Sequence, residues 1–235
     1  MLIDDILQYF QENLNQYLIY VYQHLGLSIQ AIGISCLIGI PLGYISHQHR
    51  KLSQMITLSS QALRIIPSLA VLFILISFIG VGRVPALIAL VLLGIPPILV
   101  NTTVGFLEVP AVMIETGKGL GMTDRELLKR VKIPLAFPFV MTGVKLALVE
   151  IISSATLATY IGAGGLGTLI FTGLGLNRMD LLLIGGVSVA MIAFTTSIFL
   201  DYIIKRSINY WKWRWKPTLK KSMIQSKQNT MSSSI

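Results

Sequence analysis

The chain has 235 residues, of which 54% are hydrophobic and 12% are charged, and its net charge is +9. A soluble domain usually carries about 25% charged residues, so this composition excludes an ordinary soluble enzyme and indicates a protein embedded in lipid. Apolar stretches of about 20 residues each leave room for five or six spanning helices. We therefore expect no separate soluble domain beside them.

Five apolar runs predict an all-α integral membrane protein. Each run is long enough to cross roughly 30 Å of hydrocarbon at about 1.5 Å per residue. We expect five spans, or six if the glycine-rich link between the last two runs enters the membrane. The runs cover residues 25–45, 55–79, 85–106, 135–161 and 181–204, within a predicted membrane domain of residues 25–204.

The basic residues predict the orientation of the chain in the membrane. If the C-terminus lies in the cytoplasm, the cytoplasmic segments hold fifteen of the 19 Lys and Arg residues, as the positive-inside rule requires. Residues 1–24 then form an external or interfacial segment, and residues 205–235 form a basic, partly disordered cytoplasmic tail. Its stretch Trp211 to Lys216 alternates aromatic and basic residues, which suits an anionic lipid surface better than nucleic acid.

Residues 107–134 form the only long polar loop between the predicted spans. Thr123 followed by Glu126 predicts a capping box, and Glu126 with Arg130 predicts an ion pair one helical turn apart. We expect Pro134 to end this second short helix. Two short helices joined at a corner could bind a cytoplasmic partner, or they could form an ordinary solvated loop.

The same loop resembles the EAA motif of ABC importer permeases. The resemblance lies in Glu115, Thr116 and Gly117, then Gly121, then Val131 to Pro134; Thr116 and Gly117 stand where that motif has two alanines. It implies the MetI-like fold of type I importers and a loop that couples to an ATPase subunit. The residues to which it assigns this coupling role are Glu115, Thr116, Gly117, Gly121, Asp124, Glu126, Val131 and Pro134.

Three further stretches resemble the glycine betaine, carnitine and choline branch of these permeases. They are IPSLA at residues 66–70, PILVNT at 97–102 and IGAGGLG at 161–167. The resemblance implies a permease for a small compatible solute in the bacterial cytoplasmic membrane. A permease for methionine or another amino acid remains an alternative, because such permeases also use a glycine-rich link. An ion-coupled carrier is a further alternative, although a carrier has no need of the coupling loop.

The resemblance also implies the partners of the chain. They are two copies of an ATPase that binds ATP and Mg²⁺, a second permease that is identical or homologous, and a separate extracellular solute-binding protein. The chain contains no G-x-x-x-x-G-K-[ST] phosphate loop, so we expect it to bind no cofactor and to be no enzyme itself. His47 and His49 lack a nearby third ligand, so we expect no metal site.

Charged residues inside the predicted spans are candidates for the transport path. A charge in lipid costs several kcal/mol unless it is paired or hydrated, so it should face a cavity or another helix. Glu150 could pair with Arg64, or it could attract a trimethylammonium group, as a nearby aromatic ring could through cation–π attraction. The candidates are Arg64, Pro67, Lys145 and Glu150.

Four glycines of the link between the last two runs form a second candidate site. Gly162, Gly164 and Gly167 satisfy G-x-G-x-x-G, but they follow a spanning helix instead of a strand, which argues against a dinucleotide site. Together with Gly165 they are predicted to form an external gate or a close packing contact.

Overall fold

The structure is a computed structural model that describes residues 2–48, 55–56 and 67–232, with side chains described through residue 208. Within these residues the regular elements are all helical. They are α1 (Leu2–Ser46), α2 (Ser68–Ile79), α3 (Arg83–Leu107), α4 (Ala111–Gly119), α5 (Asp124–Leu127), a π-helical turn (Leu128–Lys132), α6 (Ile133–Leu157), a 3₁₀ turn (Ala158–Ile161), α7 (Gly167–Leu176) and α8 (Met179–Ser232).

Four helical stretches are long and apolar enough to cross a membrane. They are Leu2–Ser46, Arg83–Leu107, Asp124–Ile161 and Met179–Ile208, and each contains one of the predicted apolar runs. The other run, residues 55–79, is described only in part, and its described helix α2 has twelve residues. The all-helical membrane fold is confirmed, and four of the five predicted spans are present as helices.

Helix α1 continues through the segment that was expected to lie outside the span. It runs from Leu2 to Ser46 and departs from helical geometry at Asn13, where φ is −124° and ψ is 21°. Tyr9, which is 8% exposed, belongs to an apolar cluster with Leu181 and Ile184 of α8. Residue 24 therefore marks no break in the helix, and the first turns of α1 pack against the last span.

Glycines allow α1, α3 and α6 to approach each other closely. A Cβ added at Gly43 of α1 would lie 2.6 Å from the Thr102 Cβ of α3, and one added at Gly143 of α6 would lie 2.8 Å from the Pro97 carbonyl oxygen. Small residues in contact are what allow helices to pack tightly in lipid, where no hydrophobic force drives them together. These three helices form the closely packed centre of the fold.

A comparison of two glycines tests this packing. Gly143→Ala should lower the stability of the chain by about 1–3 kcal/mol, because the new methyl group meets the backbone of α3 and cannot be relieved by a side-chain rotation. The control is Gly186→Ala in α8, where nothing lies within 4 Å of an added Cβ, and where alanine should be neutral or slightly stabilising. The measurement is the temperature at which heating halves the monodisperse gel-filtration peak of the detergent-purified protein. Equal shifts in the two variants would contradict the packing role of Gly143.

Candidate coupling loop and transport cavity

A left-handed glycine forms the corner of the cytoplasmic loop. Gly121 has φ +78°, and the Met122 N–H donates to the Gly117 carbonyl oxygen at 3.1 Å across the corner. This φ favours glycine, because a Cβ there would clash with the following carbonyl group. The corner separates α4 from α5, so the two short helices expected from the sequence are present.

The second short helix begins with the predicted capping box. The Thr123 N–H donates to Glu126 Oε2 at 3.1 Å, and the Glu126 N–H donates to Thr123 Oγ1 at 3.4 Å. The Thr123 hydroxyl also donates to Glu126 Oε2 at 3.1 Å. The hydrogen bonds that the carboxylate accepts, from the Thr123 N–H first and from the Thr123 hydroxyl second, hold the pKa of Glu126 below its ordinary value. Glu126 also pairs with Arg130 at 3.7 Å. The capping box and the ion pair are both confirmed.

Pro134 does not end that helix, and this expectation was wrong. After α5 the chain widens into the π-helical turn Leu128–Lys132 and continues directly into α6, in which Pro134 lies in the first turn. In the π turn the Ile133 N–H donates to the Leu128 carbonyl oxygen, one residue farther back than in an α-helix. A proline inside a helix removes one backbone hydrogen bond and its ring crowds the preceding turn, and the wider π-helical turn directly before Pro134 lets the helix continue past it.

The loop has one buried face and one exposed face. Gly117, Leu127, Val131 and Pro134 are buried, and a Cβ added at Gly117 would lie 2.5 Å from Leu127 Cδ1. The exposed face carries two apolar side chains, Val112 at 69% and Leu120 at 73% exposure. The predicted coupling residues that share this exposed face are Glu115, Thr116, Gly121 and Asp124, whereas Glu126 is half-buried.

A cavity of 720 Å³ lies between α2, α3, α6 and α8. Its polar and charged lining consists of Lys145 and Glu150 from α6 and Ser197 from α8, and none of its described lining residues is aromatic. Binding cavities for small molecules have volumes of about 300–1,000 Å³. The cavity is therefore large enough for a small solute, and the aromatic contact considered for a trimethylammonium group has no counterpart among these lining residues.

The four candidates for the transport path are not all brought together. Lys145 and Glu150 both line the cavity, whereas Pro67 is exposed at the start of α2 and is absent from the lining. Arg64 lies outside the described residues, and so does its suggested pairing with Glu150. The described partner of Glu150 is the Ser154 hydroxyl at 3.4 Å.

Lys145 forms an ion pair with Asp201 of α8. Its Nζ lies 2.7 Å from both carboxylate oxygens, and the exposed fractions of the two side chains are 23% and 45%. The sequence carries a signal for this pair, which the expectations above did not include. Asp201 is the sole acidic residue in the run 181–204, and a charge in a span requires a partner.

The glycine-rich loop at the other end of α6 packs against α1. The Gly165 N–H donates to Gln23 Oε1 at 3.0 Å, and Gly162, Gly164 and Gly165 all have positive φ. Gly167 lies so close to the Thr156 carbonyl group that it has no room for a side chain. The loop therefore has a fixed conformation, and a role as an external gate stays a prediction. Gln23 was missed because a single polar residue near a span end carries no sequence signal.

Comparison with known proteins decides the family. Residues 36–209 match the family of the binding-protein-dependent transport system inner membrane component. The chain belongs to this family. It is 40% identical over 197 residues to the carnitine transport permease protein OpuCB of Listeria monocytogenes, covering 84% of this chain and 90% of that protein. It is 35% identical over 201 residues to the glycine betaine/carnitine/choline transport system permease protein OpuCB of Bacillus subtilis, covering 86% of this chain and 91% of that protein.

A solved structure shows the same fold. The inward-facing MetNI methionine ABC transporter contains a chain that superposes with a TM-score of 0.70 at 20% identity, covering 81% of this chain and 95% of that chain. At this identity the likeness concerns the fold alone, and it confirms the expected MetI-like architecture. The permease is thus a multi-pass protein of the cytoplasmic membrane.

The capping box gives a prediction for the loop of the permease. Thr123→Ala removes the hydroxyl that accepts from the Glu126 N–H, and the loss of such a cap costs about 1 kcal/mol. Deuterium exchange of the amides of residues 124–127 should accelerate by roughly fivefold. Thr116→Ala is the matched control, because its hydroxyl donates to the Val112 carbonyl oxygen within α4 and caps nothing.

The same protection should depend on pH. Because the pKa of Glu126 is lowered in the folded protein, the stabilisation of the helix start by its carboxylate is fully present above the ordinary glutamate pKa. This stabilisation disappears as the pH falls through the folded pKa.

For the two threonine variants, an acceleration of exchange by Thr116→Ala as large as that by Thr123→Ala would contradict the assignment of the cap.

Proposed function

We propose that the chain is the permease subunit of an ATP-driven importer for a trimethylammonium compatible solute: glycine betaine, carnitine or choline. In this proposal two ATPase subunits bind the cytoplasmic loop, a second permease completes the translocation path, and a separate extracellular protein delivers the solute. The observation that carries it is the continuous helix from the loop to the cavity wall.

The exposed face of the loop is suited to a protein partner. Val112 and Leu120 expose apolar surface beside the charge of Glu115, and apolar anchors with a polar rim are typical of protein interfaces. The buried face, through Gly117 and Leu127, fixes α4 against α5. A partner that moves α4 therefore moves the corner as one rigid body. ATP and Mg²⁺ belong to that partner in this proposal.

Movement of the loop reaches the cavity through a single helix. Residues Asp124–Ile161 form one helical stretch of 38 residues, which corresponds to about 57 Å at 1.5 Å per residue. This stretch carries Glu126 in the loop, Lys145 and Glu150 in the cavity wall, and Ile161 beside the glycine-rich loop. A displacement of the cytoplasmic end is therefore transmitted to the wall. ATP binding and hydrolysis would shift the equilibrium between inward-facing and outward-facing states.

The solute is proposed from the relatives and the cavity together. Both curated relatives are permeases whose names include carnitine, and they align with most of this chain. The cavity of 720 Å³ combines an apolar wall with a carboxylate. Methyl groups of a trimethylammonium head suit the apolar wall, and its positive charge suits the carboxylate.

The interface is tested by capture of the cognate ATPase. Glu115→Lys reverses a charge on the exposed face, and Gly121→Val forces a β-branched residue into a left-handed conformation that it rarely adopts. The amount of ATPase that co-purifies with either variant should be at least about tenfold lower than with the wild type. A tenfold change in affinity corresponds to about 1.4 kcal/mol of binding free energy. The control is Glu12→Lys, a charge reversal at an exposed position of α1 far from the loop in sequence.

Transport is tested in proteoliposomes that contain the permease pair, the ATPase and the solute-binding protein. ATP-dependent accumulation of labelled glycine betaine, carnitine or choline is the expected result. Accumulation without ATP would favour the ion-coupled carrier instead, and accumulation of methionine but of none of the three solutes would contradict the proposed solute class.

A further inference from the structure

The charges around the cavity do not balance. Lys145 and Glu150 are the charged residues among its described lining. Lys145 already has a counter-charge, because its Nζ contacts both oxygens of Asp201 at 2.7 Å. Glu150 contacts the neutral Ser154 hydroxyl at 3.4 Å and forms no ion pair with another described residue. The described lining, counted with Asp201, therefore carries one uncompensated negative charge.

The relative positions of the two α6 charges explain why they do not cancel each other. Glu150 follows Lys145 by five residues, which is about 140° around an α-helix. Lys145 therefore reaches α8, where Asp201 lies, while Glu150 stays accessible from the cavity. The other side chains of the lining are mostly apolar, among them Leu92, Val149 and Ile95, and Glu150 itself is exposed, so a solute in the cavity can reach its carboxylate.

We propose that Glu150 is a specificity-determining residue of the permease, which contacts the cationic group of the solute in the cavity, and that Asp201 keeps Lys145 from cancelling it. This proposal rests on the proposed function and deepens it. It assigns the selectivity of the cavity to net charge: a cation such as choline depends on Glu150 more strongly than a zwitterion such as glycine betaine. The carboxylate of the zwitterion is repelled by the same charge that attracts its ammonium group.

The first test removes the charge of Glu150. In proteoliposomes with the ATPase and the solute-binding protein, Glu150→Gln should lower kcat/KM for choline uptake by roughly tenfold and that for glycine betaine by less than about threefold. Glu150→Asp, which keeps the charge, should restore a large part of choline uptake. The matched control is Glu12→Gln, which removes one carboxylate outside the cavity. The solute-binding protein is the same in every arm, so its own preference cancels in the ratio of variant to wild type.

The second test changes the charge of the cavity without changing Glu150. Asp201→Asn frees the Lys145 cation, so choline uptake should fall by roughly tenfold and more than glycine betaine uptake. The double variant Lys145→Met with Asp201→Asn removes both charges of the pair and restores the uncompensated carboxylate. Choline uptake should recover in it. A pair that merely ties α6 to α8 would instead make the double variant as defective as the single one, for both solutes.

The outcomes separate this proposal from the proposed function. If the wild type accumulates none of the trimethylammonium solutes, the proposed function fails. If the wild type accumulates choline and glycine betaine, and Glu150→Gln carries both at the wild-type ratio, the role of Glu150 is overturned while the proposed function stands. Gel filtration of each variant with its ATPase checks assembly, and Glu150→Asp supplies an assembled comparison if Glu150→Gln does not assemble.

Discussion

The backbone contact between α3 and α6 is the constraint on which the rest of the structure depends. Gly143 lies so close to the Pro97 carbonyl oxygen that a Cβ there would approach it to 2.8 Å, which fixes the rotation of α6 about its own axis. Lys145 and Glu150 follow within two turns on the same helix, so this rotation also fixes their directions. Both line the cavity, and Lys145 also reaches Asp201 of α8. In lipid, where hydrophobicity does not hold helices together, such close contacts decide which polar residues can meet.

The continuity of α6 joins three features that are separate in the sequence. Its cytoplasmic end passes through a π-helical turn into the capped helix α5, and its other end passes through a 3₁₀ turn into the glycine-rich loop. The Ile133 N–H donates to the Leu128 carbonyl oxygen at the first transition, and the Ala158 N–H donates to the Ser154 carbonyl oxygen at the second. Gln23 also fixes the glycine-rich loop from outside. The loop, the cavity wall and the outer loop therefore belong to one mechanical unit. Distinct helices joined by flexible linkers would absorb a movement of the loop before it reached the cavity.

Much of this architecture could be predicted from the sequence, because its signals are local. Hydropathy located four described spans, and the spacing of Thr123, Glu126 and Arg130 predicted hydrogen bonds and an ion pair within one turn. One failure is local, and the other concerns a tertiary contact. Pro134 reads as a stop signal, but the π-helical turn before it lets the helix continue. The pair of Lys145 with Asp201 joins residues 56 positions apart, and no periodicity within either span specifies which faces of two helices will meet.

The stability of the fold explains one of the two charged residues in the cavity wall and not the other. A lysine in a span is costly, and Asp201 compensates it at short distance, as expected for a structural pair. Glu150 has no such counter-charge among the described residues: it is exposed, it faces the cavity, and its described partner is a hydroxyl group at 3.4 Å. Replacing that carboxylate by an apolar residue would break no described ion pair, so the stability of the fold does not require it. Local rules are broken in this way mainly where function requires it, which is why we propose that the transported solute compensates this carboxylate in the cavity.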